Sequence, residues 1–246
     1  MKLYNFRDWN KRIIQLTDWE TDEILFKRMM DQIKRGWVFI DVGAEYGYYA
    51  IKAGLNVGAN GKVLAIEAHP EIYGLLKRNI ELYKLSNVVS PVLKAVGITQ
   101  GAAKLYETTS PGSTSIVSRS TLFNEINANK IRIWFNFIKD FRNLFKILRK
   151  RFAPPKYVVP MDNLDNIFQT YGLKRIDMIK IDVEGAELDV LKGARAILMN
   201  YMPILMVEVH FGFGWKAEIL YNLLKNFGYR LEVENRLHKA LLVAIP

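Results

Sequence analysis

From about residue 36 onward, short apolar runs alternate with segments of helical period, and this alternation predicts a doubly wound α/β fold with a mostly parallel sheet and helices on both faces. A glycine-containing turn directly after the first run supports that reading. So do the acidic residues that close several runs, because open parallel sheets bind ligands at the carboxyl ends of their strands. With 246 residues, 50% of them hydrophobic, the chain is long enough to fold as one domain around a large core.

Trp37 to Val42 is the first predicted strand, Lys62 to Glu67 the second and Val89 to Val96 the third. Ile176 to Asp182, Ile204 to Val209, Tyr229 to Val233 and Ala240 to Ala244 follow as further strands. Within Pro70 to Tyr83, the residues Ile72, Leu75, Leu76, Ile80 and Tyr83 recur at helical spacing. Leu188, Leu191, Ala194 and Leu198 do the same within Glu184 to Met199. Residues 1–35 read as an N-terminal helical extension, mainly Thr21 to Lys34, ahead of a main domain over 36–246. No internal repeat is evident.

The chain contains no cysteine, which excludes disulfides, thiolate metal sites and every mechanism with a cysteine nucleophile. Its 35 Lys and Arg outnumber 25 Asp and Glu, a net charge of +10 that favours anionic partners. The excess is local. About 121–156 carries nine basic residues against Glu125 and Asp140, which is +7 of the total. Trp134, Phe137, Ile138, Phe141, Leu144, Phe145, Leu148 and Phe152 recur through it at helical spacing, so the stretch reads as a basic amphipathic helical insertion. Three roles suit such a helix: simple packing on the domain, a lid over an acceptor, or contact with an anionic membrane surface through residues 130–152. The N-terminus lacks the apolar run of a secretory signal, and no stretch of about 20 apolar residues occurs. The expected location is cytoplasmic, at most peripheral to the inner membrane face.

Chemistry concentrates in three places. Asp41 precedes Gly43 and Gly47, so the loop reads G-x-x-x-G rather than the G-x-G-x-x-G of nicotinamide dinucleotide folds. A carboxylate there repels a pyrophosphate but suits an ammonium-bearing ligand such as the methionine part of S-adenosylmethionine. Glu67 closes the second strand, where a carboxylate can accept bonds from both hydroxyls of a ribose. Farther on, Asp182 ends a strand and Glu184 opens the following helix, although Glu184 and Glu187 also suit a helix first turn as plain structural acids. Glu208 and His210 project from the next strand end toward the same edge. Asp182, Glu184, Glu208 and His210 are therefore the candidate general bases.

These segments resemble the FkbM family of S-adenosylmethionine-dependent methyltransferases. The family pattern has a D-V-G-A-x-x-G-x-Y loop, matched from Asp41 to Tyr49, and an I-K-I-D-V-E-G-A-E-x-x-V-L-K-G-A block, matched from Ile179 to Ala194. Similarity extends through Ile66 to Pro70, Leu85 to Val88, Ala95 to Gly97, Gly112 to Ser115, Asn163 to Asp165 and Pro203 to His210. The resemblance implies a class I methyltransferase fold, seven-stranded with the last hairpin strand antiparallel. It also implies that Asp41, Gly43, Gly47 and Glu67 bind the cofactor, with Ala44, Glu45, Tyr48 and Ala68 in the same loops. Ala95 and Val96 would flank adenine, and Asp182 would face the reacting methyl. Glu45 stands where the family often has asparagine, and the basic insertion lies outside the common core.

The function this implies is O-methylation of a hydroxyl on a sugar, glycolipid or other small molecule, with S-adenosylmethionine as cofactor. A divalent metal among the strand-tip acids is compatible with this chemistry, but the spacing indicates no metal site. Two alternatives stay open. The basic insertion motivates an RNA methyltransferase, against which Ile181-Asp182-Val183-Glu184 lacks the Asn-Pro-Pro-aromatic character of enzymes that methylate exocyclic amines. The second is a non-catalytic module held at a membrane surface.

Overall fold

The computed structural model describes residues 2–4, 13–15, 24–107, 114–116, 156–210, 215–235 and 239–246. Two short strands, β1 (Lys2–Tyr4) and β2 (Ile13–Gln15), pair antiparallel ahead of helix α1 (Ile24–Met30). The expected helix thus occupies only part of Thr21 to Lys34, and strand pairing enters a region read as helical. The basic amphipathic insertion falls outside the described residues, apart from Lys156.

The core of the domain follows as β3 (Val38–Val42), α2 (Tyr48–Val57), β4 (Lys62–Glu67), α3 (Pro70–Leu82) and β5 (Val89–Leu93). Next come β6 (Ala95–Val96), β7 (Gly101–Glu107), β8 (Thr114–Ile116), β9 (Tyr157–Asp162) and α4 (Leu164–Thr170). The chain closes with β10 (Met178–Ile181), α5 (Glu187–Lys192), α6 (Arg195–Asn200), β11 (Ile204–His210), α7 (Trp215–Asn226), β12 (Arg230–Asn235) and β13 (Lys239–Ile245). Seven of the strands form one sheet in the order β5-β4-β3-β10-β11-β13-β12. All its pairings are parallel except those of β13, which runs antiparallel to β11 and to β12. From β3 the chain first winds outward through β4 and β5, then returns to β10 and winds the other way. The gap over β3 and β10 is therefore the topological switch point, where sheets of this kind bind ligands.

Strand alternation divides the core between the two faces of the sheet. Ile40, Val42, Leu64, Ile66, Ile179, Ile181, Leu205 and Val207 pack with α4, α5, α6 and α7. Phe39, Val63, Ala65, Met178, Met206 and Val243 pack with α1, α2 and α3. Burying each such large apolar side chain contributes about 1.5–3 kcal/mol. Two charged residues, Asp41 and Lys180, are register partners on β3 and β10, and both are almost fully buried.

Two expected elements are divided. The strand read from Val89 to Val96 breaks at Lys94. Past that point β6 leaves the main sheet and pairs parallel with β9 in a four-stranded sheet of order β6-β9-β7-β8. Lys94 marks the departure, because its ammonium meets Asp162 at 3.0 Å while its N–H donates to Glu67 O at 3.2 Å. The helix read from Glu184 to Met199 starts at Glu187 and is interrupted at Gly193 and Ala194. A Cβ on Gly193 would lie 2.1 Å from the Gly97 carbonyl oxygen, so glycine is required for this approach. Asp165 then caps the second segment, accepting from Ala196 N and Ile197 N at 2.9 Å each. Among the described residues no helix is long and apolar enough to cross a membrane. Gly193→Ala is expected to destabilise the fold by about 1–3 kcal/mol, because backbone rather than a flexible side chain must yield. Urea denaturation would read this as a lower midpoint with an unchanged slope.

Candidate active site

Three strand ends are knitted together at the switch point. Asp182 N donates to Val42 O at 3.0 Å, and Gly43 N and Ala44 N donate to Ile66 O at 2.9 and 3.0 Å. A Cβ on Gly43 would sit 1.8 Å from the Asp182 carbonyl oxygen, and the residue has φ +78°. Only glycine satisfies both conditions. Gly47, at φ +91°, has a packing role instead: a Cβ there would come within 2.7 Å of Leu76 Cδ1 on α3. Facing each other in the turns after β3 and β10, Glu45 and Glu184 take left-handed φ values of 46° and 51°. Non-glycine residues hold this conformation at a cost of about 1–3 kcal/mol each, and such outliers cluster at functional sites.

Over these turns lies an open cleft. Its wall combines an apolar set, Val42, Ile66, Ile72, Ala95 and Val96, with the four carboxylates of Glu45, Glu67, Asp182 and Glu184. Gly43, Ala68, Lys94 and Val183 complete it. Of the residues assigned to cofactor binding from sequence, Gly43, Glu45, Glu67, Ala68, Ala95, Val96 and Asp182 are thus brought together. Asp41 and Ala44 are buried outside the wall, and Gly47 and Tyr48 do not line it. Glu67 is held by two backbone donors, His69 N to Oε1 at 2.7 Å and Glu45 N to Oε2 at 2.9 Å. Burial nevertheless raises its carboxyl above the usual range. Glu45 is exposed as a residue; desolvation first, then the charge of Asp182, push its carboxyl upward, and solvent at this position limits the effect.

Beside the cleft, Asp182, Glu208 and His210 converge, with one ligand atom from each lying within 4.8 Å of the others. His210 Nδ1 meets Glu187 Oε1 at 2.8 Å, while Nε2 lies 3.3 Å from Glu208 and 3.6 Å from Glu184. Burial alone would lower the imidazole pKa, but the bonds to Glu187 and Glu208 outweigh it and push it up to about 10. His210 thus bridges carboxylates from the turn and helix after β10 to one on its own strand. Desolvation raises Glu208, yet hydrogen bonds from His210 and Lys239 prevail and bring it down to about 2. Glu184 moves the other way, raised by desolvation and by its acidic neighbours against the pull of His210. The spacing of Asp182, Glu208 and His210 would admit a cation. Lys180 already stands 3.2 Å from Asp182 and Lys239 2.8 Å from Glu208, so cations of the chain itself already face two of the three groups.

Lys180 was not singled out from sequence. Its signal was a lone charge in the apolar strand Met178-Ile179-Lys180-Ile181, one residue type out of keeping with a buried strand. Glu187, read there as a helix first-turn acid, proves to be the partner of His210.

The model for the methyltransferase FkbM domain matches residues 41–231, most of the chain. The protein belongs to the FkbM methyltransferase family. Methyltransferase sdnD of Sordaria araneosa is 29% identical over 164 residues, covering 63% of this chain and 59% of that protein. The AMB antimetabolite synthetase AmbE of Pseudomonas aeruginosa is 25% identical over 212 residues, which span 80% of this chain and 10% of the synthetase. Among solved structures, FkbM methyltransferase of Methylobacillus flagellatus superposes with a TM-score of 0.55 at 15% identity, over 85% of this chain and 43% of that one. This FkbM chain therefore spans less than two thirds of the length of each of these relatives. The cleft fits S-adenosylmethionine, the cofactor that the FkbM resemblance implies. Glu67, its two oxygens fixed by backbone N–H groups, keeps free lone pairs for vicinal ribose hydroxyls. Ile72, Ala95 and Val96 offer apolar surface to a purine, and the surrounding carboxylates suit a sulfonium and an ammonium.

The His210 clamp has a definite pH signature. Because its folded pKa lies above its ordinary 6.5, its stabilisation is complete below about 6.5 and is lost as pH rises through about 10. His210→Gln should cost about 1–3 kcal/mol at pH 6, less than a fully buried pair because the imidazole is 20% exposed. Thermal melts across this range should show the gap between wild type and variant closing as pH approaches about 10.

Proposed function

We propose that this FkbM methyltransferase transfers its methyl group to a hydroxyl oxygen of a sugar, glycolipid or other small molecule. The observation that carries the reading is the presence of two carboxylates, Asp182 and Glu184, in the wall of the cofactor cleft. A hydroxyl is a weak nucleophile until its proton is removed, so O-methylation calls for an acceptor of that proton at the point of transfer. Bound S-adenosylmethionine supplies an electrophilic methyl group and a sulfur leaving group. The acceptor oxygen gains the methyl carbon, the electron pair of the broken C–S bond stays on sulfur, and the hydroxyl proton passes to a carboxylate of the chain.

Between the two candidates, Glu184 suits proton acceptance better. Desolvation raises its carboxyl toward neutrality, where a general base is most effective, while Asp182 is ion-paired with Lys180 at 3.2 Å. Asp182 is then the fixed anion beside the transferring methyl. His210 and Glu208, outside the cleft wall, hold the Glu184 turn from behind.

Glu184→Gln is expected to lower turnover by about 10²–10⁴-fold and to leave S-adenosylmethionine affinity nearly unchanged. Asp182→Asn should weaken cofactor binding itself. The check is a panel of hydroxyl-bearing glycans and glycolipids incubated with methyl-labelled S-adenosylmethionine, followed by calorimetry on both variants. Label arriving on nitrogen or carbon instead of oxygen, or a Glu184→Gln enzyme with full turnover, would sink the proposal.

A further inference from the structure

We propose that Lys180 is a positioning residue of the methyl-transfer site, holding Asp182 in place from a buried seat between Asp182 and Asp41. The inference rests on the reading of Asp182 as the anion beside the bound methyl donor. Lys180 is 3% exposed, and its ammonium lies 3.2 Å from Asp182 Oδ2, 3.8 Å from Asp41 Oδ1 and 4.7 Å from the centre of the Tyr49 ring. Asp41 is 0% exposed, and neither of its carboxylate oxygens has a hydrogen-bond partner of normal geometry among the described residues, although the Ala50 N–H and the Lys180 ammonium both lie near enough to draw its pKa down. A buried carboxylate without donors is costly unless a cation stands near it, and the nearby cation here is Lys180.

The three groups form a line from the interior to the cleft. Asp41 lies outside the cleft wall, Lys180 stands across the register from it, and Asp182 forms part of the wall. Pinned by Asp41 and by the Tyr49 face, the ammonium has, among the described residues, one further carboxylate within bonding reach, that of Asp182. The ion pair holds the Asp182 side chain at the cleft wall beside the carboxylates of Glu45 and Glu67. Burial acting on Lys180 itself favours loss of the proton, but Asp182 and Asp41 outweigh it and raise the ammonium above its ordinary value. Burial pushes Asp41 up to about 6, with Asp182 adding and Lys180 opposing.

Removing only the cation leaves two carboxylates facing one another across the gap it filled, and one of them then takes up a proton at higher pH. The site loses negative charge as it does so. S-adenosylmethionine carries a sulfonium, and S-adenosylhomocysteine does not, so the ratio of their affinities reports that charge. A residue with a purely structural role would weaken both ligands together at every pH.

The experiment is calorimetric titration of both ligands into the full chain, wild type and variants, from pH 5.5 to 8.5. In wild type the preference for the sulfonium should fall on the acid side near pH 6. Lys180→Met should move that fall alkaline by about 1–3 pH units, and Lys180→Arg should restore it. Asp41→Asn removes the group that titrates there, so the fall should disappear in that variant. Lys180→Gln should move the fall as Lys180→Met does, which keeps the test intact where Lys180→Met fails to fold. A Lys180→Met or Lys180→Gln profile that superposes on wild type, or a fall retained in Asp41→Asn, would overturn the proposal. Wild-type chain that binds neither ligand would overturn the site reading beneath it.

Discussion

The absence of a side chain at Gly43 is the constraint on which the rest of the site depends. With any Cβ there, the Asp182 carbonyl could not close onto the turn after β3, and β3 and β10 could not end side by side. Their closeness sets everything above them. It brings Glu45 N onto the Glu67 carboxylate, puts the two left-handed turns opposite each other, and places Asp182 in the same wall as the ribose-side acid. Glycine is thus used here chiefly for chain-to-chain approach, and only secondarily for its exposure to a ligand.

Around that junction the charge runs against the rest of the molecule. A chain with a net charge of +10 encloses a cleft whose wall holds Glu45, Glu67, Asp182 and Glu184 against the single cation Lys94, itself paired with Asp162. Such a field favours a positively charged methyl donor over its neutral product, which helps exchange one for the other after each turnover. The acids tolerate one another because the chain supplies cations at measured points: Lys180 beneath and Lys239 at the side. Electrostatic order in this site is a matter of placement rather than of total charge.

Much of this was legible in the sequence, because a strand exposes its logic at alternate positions. Ile179 and Ile181 face one core, leaving Lys180 and Asp182 on the other side; Val207 and Val209 likewise leave Glu208 and His210. The parallel sheet could be read from apolar runs that alternate with helical segments, and the acids from their places at the ends of those runs. What could not be read were features fixed by contacts distant in sequence. The break at Lys94 depends on Asp162, and the break at Gly193 depends on the Gly97 carbonyl. The same holds for His210: its residue type suggests a base, but Glu184 and Glu187, distant in sequence, join Glu208 of its own strand around the imidazole and raise its pKa. Asp41 is expected from the sequence to bind the cofactor, yet it is buried away from the cleft wall, through packing that its own neighbours do not announce.

The second sheet has a consequence for how this enzyme can change. Residues 117–155 join β8 to β9, and both strands pair with β7, so the two ends of that segment leave from one small sheet. Neither strand pairs with any member of the seven-stranded sheet that carries Asp41, Lys180 and Asp182. Its length and composition can therefore change without altering the register of the seven-stranded sheet. A change in that segment would reach the cleft through β9 instead, because β9 pairs with β6, which carries Ala95 and Val96 of the wall.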